Sequence, residues 1–159
     1  MTSRTDILEN EDATTRIGAQ FARGLERGTY IALDGALGAG KTCIARGLLN
    51  QLGHLGKVKS PTYPILETYQ FDTFEVCHFD FYRISSPSEI IDAGFDEMFN
   101  PLNVCIVEWA KNAGDFLRKP DIEVKLTPWE DQRKVEIIAL TTLGQKNLEH
   151  FERWQNFQN

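Results

Sequence analysis

Residues 35–42 form the run Gly35-Ala36-Leu37-Gly38-Ala39-Gly40-Lys41-Thr42, which fits the phosphate-binding pattern G-x-x-x-x-G-K-[ST] at every fixed position. In such a loop the backbone N–H groups point inward around phosphate oxygens, and the following helix adds the positive end of its dipole. The pattern predicts that Lys41 contacts the β- and γ-phosphates and that the Thr42 hydroxyl is a ligand of Mg²⁺. The sequence therefore predicts a site for a nucleoside triphosphate.

The residues around this run supply the context that the pattern requires. Residues 29–33 are a β-branched and aromatic run typical of a strand, and apolar residues recur at helical spacing from Ile44 to Leu52 until Gly53 ends the helix. Strand, glycine turn and helix in this order favour a bound phosphate over a glycine turn without a ligand. We expect an α/β fold of the P-loop NTPase type, with a mostly parallel central sheet, added antiparallel strands and helices on both faces.

The composition sets the broad class of protein. A chain of 159 residues, 42% hydrophobic and 25% charged, is expected to form one domain over residues 1–159 with a substantial core. It has no apolar run near the ~20 residues of a membrane span and no secretory signal, so we expect no membrane association and a cytoplasmic location. Cys43, Cys77 and Cys105 lack C-x-x-C spacing and are expected to be reduced core residues.

The charge is unevenly distributed. The net charge is −6, and residues 60–110 contain one Lys or Arg, Arg83, against nine acidic residues. Such a surface repels a nucleic-acid backbone, so direct tight binding of nucleic acid is not expected. The alternative is a local basic patch built from Lys57, Lys59, Arg118 and Lys119.

Other local signals predict the remaining elements. Two helices are expected, one capped by Asn10 or Asp12 and ended by Gly28, and a short one opened by the capping box Ser86-Pro87-Ser88-Glu89. The expected strands are an antiparallel pair at 65–69 and 75–79, a buried strand at 104–107, and a pair at 122–126 and 135–140 joined by a turn around Pro128. The last segment, 145–157, is amphipathic, with Leu148, Phe151, Trp154 and Phe157 on one face.

Two carboxylates directly follow apolar strand runs. Asp80 ends the run 76–79 and Glu108 ends the run 104–107. Ligands of open α/β sheets collect at the carboxyl ends of the strands, and a carboxylate there is costly to bury unless it is paired or bound to a metal. Asp80 and Glu108 are therefore candidates for holding Mg²⁺ and orienting water. His78 is expected to be a hydrogen-bonded or packed histidine rather than a base.

Three further features near these strands have two interpretations each. Ser60-Pro61-Thr62 offers two hydroxyls where nucleotide switches place a γ-phosphate sensor, or it is an ordinary proline turn with solvated hydroxyls. Arg83 is expected to form a structural ion pair with Asp80 or a neighbouring acid rather than to contact phosphate. Trp109 is expected to be a core or rim aromatic rather than a platform for a base.

Taken together, these motifs resemble one family, TsaE, the small bacterial ATPase of tRNA threonylcarbamoyladenosine biosynthesis. The resemblance runs from Ala13 to about Leu140. Its markers are Ala13-Thr14 with Ile17-Gly18, the run 37–42, Ser60-Pro61-Thr62-Tyr63, His78-Phe79-Asp80-Phe81-Tyr82-Arg83 and Ile106-Val107-Glu108-Trp109.

The resemblance implies a role for each matched residue. It implies ATP and Mg²⁺ as cofactors, with Thr42, Glu108 and Asp80 serving the metal and Asp80 lying by the γ-phosphate and water. Lys41, Asp80 and Glu108 form the implied catalytic set. The implied nucleotide contacts are Thr14, Leu37, Gly38, Ala39, Gly40, Lys41, Thr42, Cys43, Ser60, Thr62 and Arg133. Ala36, Cys43, Pro64 and Ala110 depart from the family's usual residues, but none of them removes an implied nucleotide ligand.

The resemblance also implies the function, an ATPase acting on the TsaB–TsaD heterodimer that threonylcarbamoylates adenosine 37 of tRNA. A small-molecule kinase on the same loop is one alternative, although residues 60–110 supply only Arg83 to neutralise a second phosphoryl substrate. A GTP switch would need Asn/Thr-Lys-x-Asp and Asp-x-x-Gly strings, and neither occurs. A non-hydrolytic switch that uses ATP stays open as an alternative.

Overall fold

The computed structural model describes the backbone of residues 2–158 and the side chains of residues 2–151. Its strands are β1 (Thr2–Leu8), β2 (Tyr30–Asp34), β3 (Leu66–Gln70), β4 (Glu75–Asp80), β5 (Asn103–Glu108), β6 (Ile122–Trp129) and β7 (Gln132–Ala139). Its helices are α1 (Glu11–Arg23), α2 (Lys41–Gln51), α3 (Ser88–Asp92) and α4 (Thr142–Gln158), with 3-10 segments at Phe95–Met98 and Ala110–Phe116.

The strands form one mixed sheet in the order β1-β7-β6-β2-β5-β4-β3. Strand β2 pairs in parallel with β5 and β6, and β4 pairs in parallel with β5. The other three pairings, β1 with β7, β6 with β7 and β3 with β4, are antiparallel. The predicted α/β fold is confirmed, with four parallel strands at the centre and antiparallel strands added at both edges.

Helices cover both faces of the parallel strands, as expected. Along β2, Ile31 and Leu33 join the core beneath α1, α2 and α4, while Tyr30 and Ala32 join a second core with α3 and the 3-10 segments. This alternation follows from the two-residue period of a strand. The second core is rich in aromatic rings, and Phe79 packs against Phe81, Phe95 and Phe99.

Helices α1 and α2 approach each other very closely. A methyl group on Gly18 of α1 would overlap the carbonyl oxygen of Ile44, and one on Gly47 of α2 would overlap the carbonyl oxygen of Thr15. The α1 cap is as predicted, since Asn10 Oδ1 accepts from the Ala13 N–H at 2.9 Å. The predicted end of α1 at Gly28 is wrong, because the helix ends at Gly24.

The reason for the earlier end of α1 lies in α4. A Cβ on Gly24 would overlap the side chain of His150, and Asn147 Oδ1 accepts the Glu26 N–H at 3.2 Å. These contacts turn the chain away from helical geometry four residues before Gly28, which adopts φ 86° in the turn leading to β2.

Two local predictions differ from the structure, and one strand was not predicted. The capping box does not form, because the Glu89 carboxylate accepts from the Ser85 hydroxyl at 3.0 Å and α3 has no side-chain cap, although the Glu89 N–H donates to the Ser86 carbonyl. The 122–140 hairpin turns at residues 130–131, with Glu130 at φ 56°, rather than around Pro128, which pairs with Arg133 inside the hairpin. Strand β1 has no counterpart in the sequence-based prediction.

The C-terminal segment is helical, and its described apolar residues are buried. Leu148 and Phe151 lie in the core, and the Phe151 ring packs 5.1 Å from that of Phe21. The side chains of Trp154 and Phe157, which were expected on the same face, lie outside the described residues. No described helix combines the length and the apolar character that crossing a bilayer requires.

Candidate functional site

A cleft of about 390 Å³ opens where β2, β4 and β5 end. Every site residue expected from the sequence lines this cleft except Thr14. The lining residues are Glu11, Leu37, Gly38, Ala39, Gly40, Lys41, Thr42, Cys43, Ser60, Thr62, Asp80, Tyr82, Glu108, Trp109 and Arg133.

The glycine loop has the backbone that its sequence predicts. Gly38 and Gly40 adopt φ values of 78° and 110°, which side chains other than glycine rarely tolerate. Helix α2 begins directly afterwards at Lys41, so the loop leads into a helix N-terminus that favours anions. The left-handed Gly40 also leaves room for the guanidinium of Arg133, which packs against it.

Lys41 is buried at the base of the loop. Its Nζ donates to the carbonyl oxygen of Gly35 and, at 3.4 Å, to that of Ala36, and it lies 4.1 Å from the centre of the Trp109 ring. Burial lowers the pKa of Lys41, and the negative charges of Glu108 and Asp80 oppose that shift only partly. The ammonium group is thus a buried positive charge at the base of the loop, a property suited to an anionic ligand.

Asp80 and Glu108 are neighbours across the parallel pair β4–β5, in direct register. Both carboxylates are 3% exposed. The Thr42 hydroxyl lies 3.3 Å from Glu108 Oε1, so the start of α2 and the end of β5 bring oxygen ligands together.

This donor set suits Mg²⁺. Hydroxyl and carboxylate oxygens are ligands of that hard cation. Within the described part of the chain no three His, Cys, Asp or Glu side chains form a group that could hold a metal ion. Phosphate oxygens and water would therefore have to complete the coordination, which is the usual arrangement for Mg²⁺ bound with a nucleotide.

The Ser60–Thr62 segment is hydrogen-bonded to Asp80. Ser60 Oγ donates to Asp80 Oδ2 at 2.7 Å, and Thr62 Oγ1 donates to the same oxygen at 3.1 Å. The second carboxylate oxygen, Oδ1, accepts the Tyr82 N–H at 2.9 Å. The alternative of a proline turn with solvated hydroxyls is wrong, because both hydroxyls point to a carboxylate in the cleft.

A strained residue holds the end of this loop. Ile65 has φ 68°, a conformation unusual for a β-branched residue. Its N–H donates to the Pro61 carbonyl at 2.7 Å, and its carbonyl accepts the Asp80 N–H at 2.9 Å. The loop is thus tied to β4 by backbone and side-chain bonds at the same carboxylate residue.

Two predictions for charged or polar neighbours can be compared with the structure. His78 is fully buried and hydrogen-bonded, with Nε2 2.7 Å from Glu108 Oε2, as expected. The predicted ion pair of Arg83 with an acidic residue is wrong as far as the described residues go, because the exposed Arg83 guanidinium lies over the Tyr63 ring at 4.8 Å. Asp80 is already bonded by Ser60, Thr62 and Tyr82 and faces inward.

Thr14 and Arg133 meet behind the loop. Thr14 is fully buried and does not reach the cleft; its hydroxyl donates to the Asn10 carbonyl at 3.2 Å and lies 3.5 Å from Arg133 Nη1. Arg133 lines the cleft itself. Thr14 thus contacts Arg133 rather than lining the cleft, and its contact with the nucleotide stays a prediction.

No role was predicted for two of the lining residues, Glu11 and Tyr82. Glu11 lies at the start of α1, with Oε1 3.5 Å from Cys43 Sγ, and nothing local signals this because the contact depends on how α1 crosses α2. Tyr82 and Trp109 pack together at 5.0 Å on the rim. Trp109 is a rim aromatic, as predicted, whereas Tyr82 could have been found only through its place in the family marker 78–83.

Two remaining expectations concern cysteines and cations. Cys77 and Cys105 are buried free thiols, as expected, whereas Cys43 is half-buried at the cleft. Lys57 and Lys59 line one cleft and Arg118 and Lys119 another, so these four residues do not line a common cleft.

Comparisons with known proteins agree with the residue pattern. The family model described as "Threonylcarbamoyl adenosine biosynthesis protein TsaE" matches residues 8–135. The tRNA threonylcarbamoyladenosine biosynthesis protein TsaE of Haemophilus influenzae is 37% identical, over 95% of this chain and 99% of that protein. The Bacillus subtilis protein of the same name is 32% identical, over 98% of this chain and 96% of its own length.

A solved structure has the same fold. The crystal structure of YdiB from Bacillus subtilis superposes with a TM-score of 0.83 and 25% sequence identity, and the match covers 97% of each chain. The family match, the full-length relatives and this fold agree with the glycine loop and the two buried carboxylates. The chain belongs to the TsaE family of threonylcarbamoyl adenosine biosynthesis proteins.

Proposed function

We propose that this protein binds ATP with Mg²⁺, hydrolyses it slowly, and uses that cycle in the cytoplasm to act on the TsaB–TsaD heterodimer during threonylcarbamoylation of adenosine 37 in tRNA. The observation that carries the proposal is the pairing of Asp80 and Glu108 at adjacent strand ends, where both line the cleft with the glycine loop and Glu108 lies 3.3 Å from the Thr42 hydroxyl. Membership of the TsaE family supports a role in threonylcarbamoyl adenosine biosynthesis, and the pairing of the two carboxylates supports Mg²⁺-dependent hydrolysis of ATP.

Each residue of the cleft has a distinct task in this proposal. The loop N–H groups and Lys41 bind and neutralise the phosphates, and Thr42 and Glu108 hold the metal ion. Bound Mg²⁺ supplies positive charge against the charge that develops on the phosphate oxygens. Asp80 is held by Ser60, Thr62 and Tyr82, which suits a carboxylate that accepts a hydrogen bond from water and orients it.

We expect slow ATP hydrolysis by the isolated protein because few basic side chains line its cleft. Among the described residues that line the cleft, Lys41 and Arg133 are the basic ones, and Arg133 is packed against Gly40 and Thr14. Phosphoryl transfer depends on neutralising charge in the transition state. We expect the partner complex to raise the rate by ordering the cleft or adding a cation.

The test is steady-state ATP hydrolysis with Mg²⁺, alone and with the TsaB–TsaD heterodimer. We expect low activity alone and stimulation by the heterodimer. Lys41→Ala should lose nucleotide affinity, because it removes the charge that contacts the β- and γ-phosphates. A rate of ATP hydrolysis that does not change when the heterodimer is added would support the ATPase activity but contradict the proposed action on the heterodimer.

Two further assays separate the alternatives. Transfer of labelled phosphate to a nucleoside or nucleotide would favour the kinase. Competition of GTP with ATP tests the base, and binding without any turnover, with or without the heterodimer, would favour the non-hydrolytic switch.

A further inference from the structure

His78 occupies an unusual position beneath the cleft. It lies on β4 in register with Ile106 of β5, two residues before Asp80 and therefore on the same face of the sheet. Its side chain is 0% exposed. Nε2 lies 2.7 Å from Glu108 Oε2, while Nδ1 has no hydrogen-bond partner in the part of the chain whose side chains are described.

The hydrogen on this ring follows from the partner. An ionised carboxylate accepts hydrogen bonds and cannot donate one, so Nε2 carries the hydrogen and donates it to Glu108. Burying the imidazole without a partner for Nδ1 costs free energy that an apolar side chain would avoid. Among the residues whose side chains are described, Glu108 is the one hydrogen-bond partner of the ring, which distinguishes His78 from a residue that only fills space.

That bond fixes one oxygen of the Glu108 carboxylate. Oε2 is held by His78 at 2.7 Å and faces Ser60 Oγ at 3.5 Å, and the Thr42 hydroxyl lies 3.3 Å from Oε1 and 3.4 Å from Oε2. A glutamate has several rotatable bonds, and fixing them costs conformational entropy. The His78 N–H fixes the carboxylate before any ligand arrives.

We propose that His78 is a positioning residue that orients the Glu108 carboxylate toward Thr42 for Mg²⁺ binding. The proposal rests on the proposed function, since it requires that Glu108 serves the metal ion. Hydrogen-bond donors behind a metal-ligating side chain set its orientation, and losing one typically lowers metal affinity about 10- to 100-fold.

Two substitutions at His78 separate positioning from packing. His78→Leu keeps approximately the volume and removes the N–H. His78→Gln keeps an N–H donor close to the position of Nε2. Affinity for ATP is measured by calorimetry in EDTA and again across a Mg²⁺ titration, with melting temperatures recorded for each nucleotide-free protein.

We expect His78→Leu to bind ATP in EDTA as the wild type does and to need about 10- to 100-fold more Mg²⁺ for the metal-dependent gain in affinity. His78→Gln should recover most of that loss. In a Glu108→Gln background, His78→Leu should change the Mg²⁺ requirement little, because the group that it orients has already lost its charge.

A wild-type Mg²⁺ requirement in folded His78→Leu overturns the positioning role while leaving the proposed ATPase intact. If the ATP affinity of the wild-type protein is the same with and without Mg²⁺, the proposed metal site is wrong, and so is the proposed role of His78. Should His78→Leu not fold, His78→Gln and His78→Asn are compared, because the shorter amide cannot reach Oε2. Equal Mg²⁺ requirements for those two also overturn the proposal.

Discussion

Gly18 of α1 and Gly47 of α2 lie where the two helices cross, and each rests against a backbone carbonyl group of the opposite helix. Glycine is unfavourable in a helix interior by about 1 kcal/mol relative to alanine. Its use at both positions is explained by the closeness of the two backbones, which brings α1 against the helix that follows the phosphate loop.

Gly18→Ala should therefore destabilise the protein despite the better helix former. We expect a loss of about 1–3 kcal/mol in the free energy of unfolding, since the added methyl forces the helices apart. Urea denaturation measures the effect. Gly56→Ala is the control. Apart from its chain neighbours, the described group that an added methyl would meet is the flexible His54 side chain, so the effect should stay within about 0.5 kcal/mol. A Gly18→Ala variant as stable as the wild type would mean that the helices are not in contact there.

Asp80→Asn should separate hydrolysis from binding. The carboxylate accepts both the Ser60 and Thr62 hydroxyls at one oxygen, and an amide cannot orient water and both hydroxyls as a charged acceptor does. We expect hydrolysis to fall about 100-fold or more and ATP affinity to change little. Single-turnover kinetics and calorimetry measure the two quantities. Asp72→Asn, in the exposed turn between β3 and β4, is the matched control, and unchanged hydrolysis in Asp80→Asn would remove Asp80 from the catalytic set.

Cys43 should react slowly with iodoacetamide. Burial raises the pKa of its thiol, and the hydrogen bond to Glu11 raises the pKa further. A raised pKa leaves less thiolate at a given pH, so the inflection of the rate against pH should lie above that of an exposed cysteine. ATP should protect the thiol because it lines the cleft.

Glu11→Gln provides the check on this mechanism. Removing the carboxylate charge should speed alkylation of Cys43 at neutral pH, whereas the buried Cys77 and Cys105 should stay unlabelled in both folded proteins. Mass spectrometry assigns the labelled residue. Labelling of Cys43 at the rate of an exposed thiol would contradict the burial of this group.

Asp121 should be important for stability rather than for activity. It is buried and accepts from the Tyr30 N–H at 2.8 Å, from Arg118 at 3.0 Å and from Thr141 at 2.7 Å. Asp121→Ala leaves these donors without an acceptor, and we expect a loss of about 3 kcal/mol. The exposed Asp115→Ala serves as its control in thermal and urea unfolding, with little change expected. Equal stability of the two variants would show that solvent replaces the Asp121 bonds.

The sequence predicted the parts of the site whose signals are local. The glycine loop is contiguous, and Asp80 and Glu108 follow apolar runs, so their positions at strand ends could be read directly from residues 76–80 and 104–108. Their direct register depends on strand order, and the expectation that they collect at one sheet edge was enough to bring them together.

What could not be predicted depends on partners distant in sequence. Strand β1 is mostly polar, with Leu8 as its one core residue, and it is a strand because β7 supplies its hydrogen bonds. Arg83 was expected to pair with an acid because local charge suggested it, but the oxygens of Asp80 are already bonded by the 60–62 loop and the Tyr82 backbone. The family resemblance predicts Thr14 near the nucleotide. Its burial behind Gly40 could not be predicted, because it depends on how α1 packs against the loop.

The contact of Arg133 with Gly40 has a consequence for how the chain is made. The glycine loop leaves the ribosome early, but the guanidinium beside it belongs to the second strand of the last hairpin. A nascent chain that ends before β7 lacks one wall of the cleft, and Thr14 then lacks the side chain that it supports. The cleft that we propose binds nucleotide is therefore complete only after β7 has been synthesised.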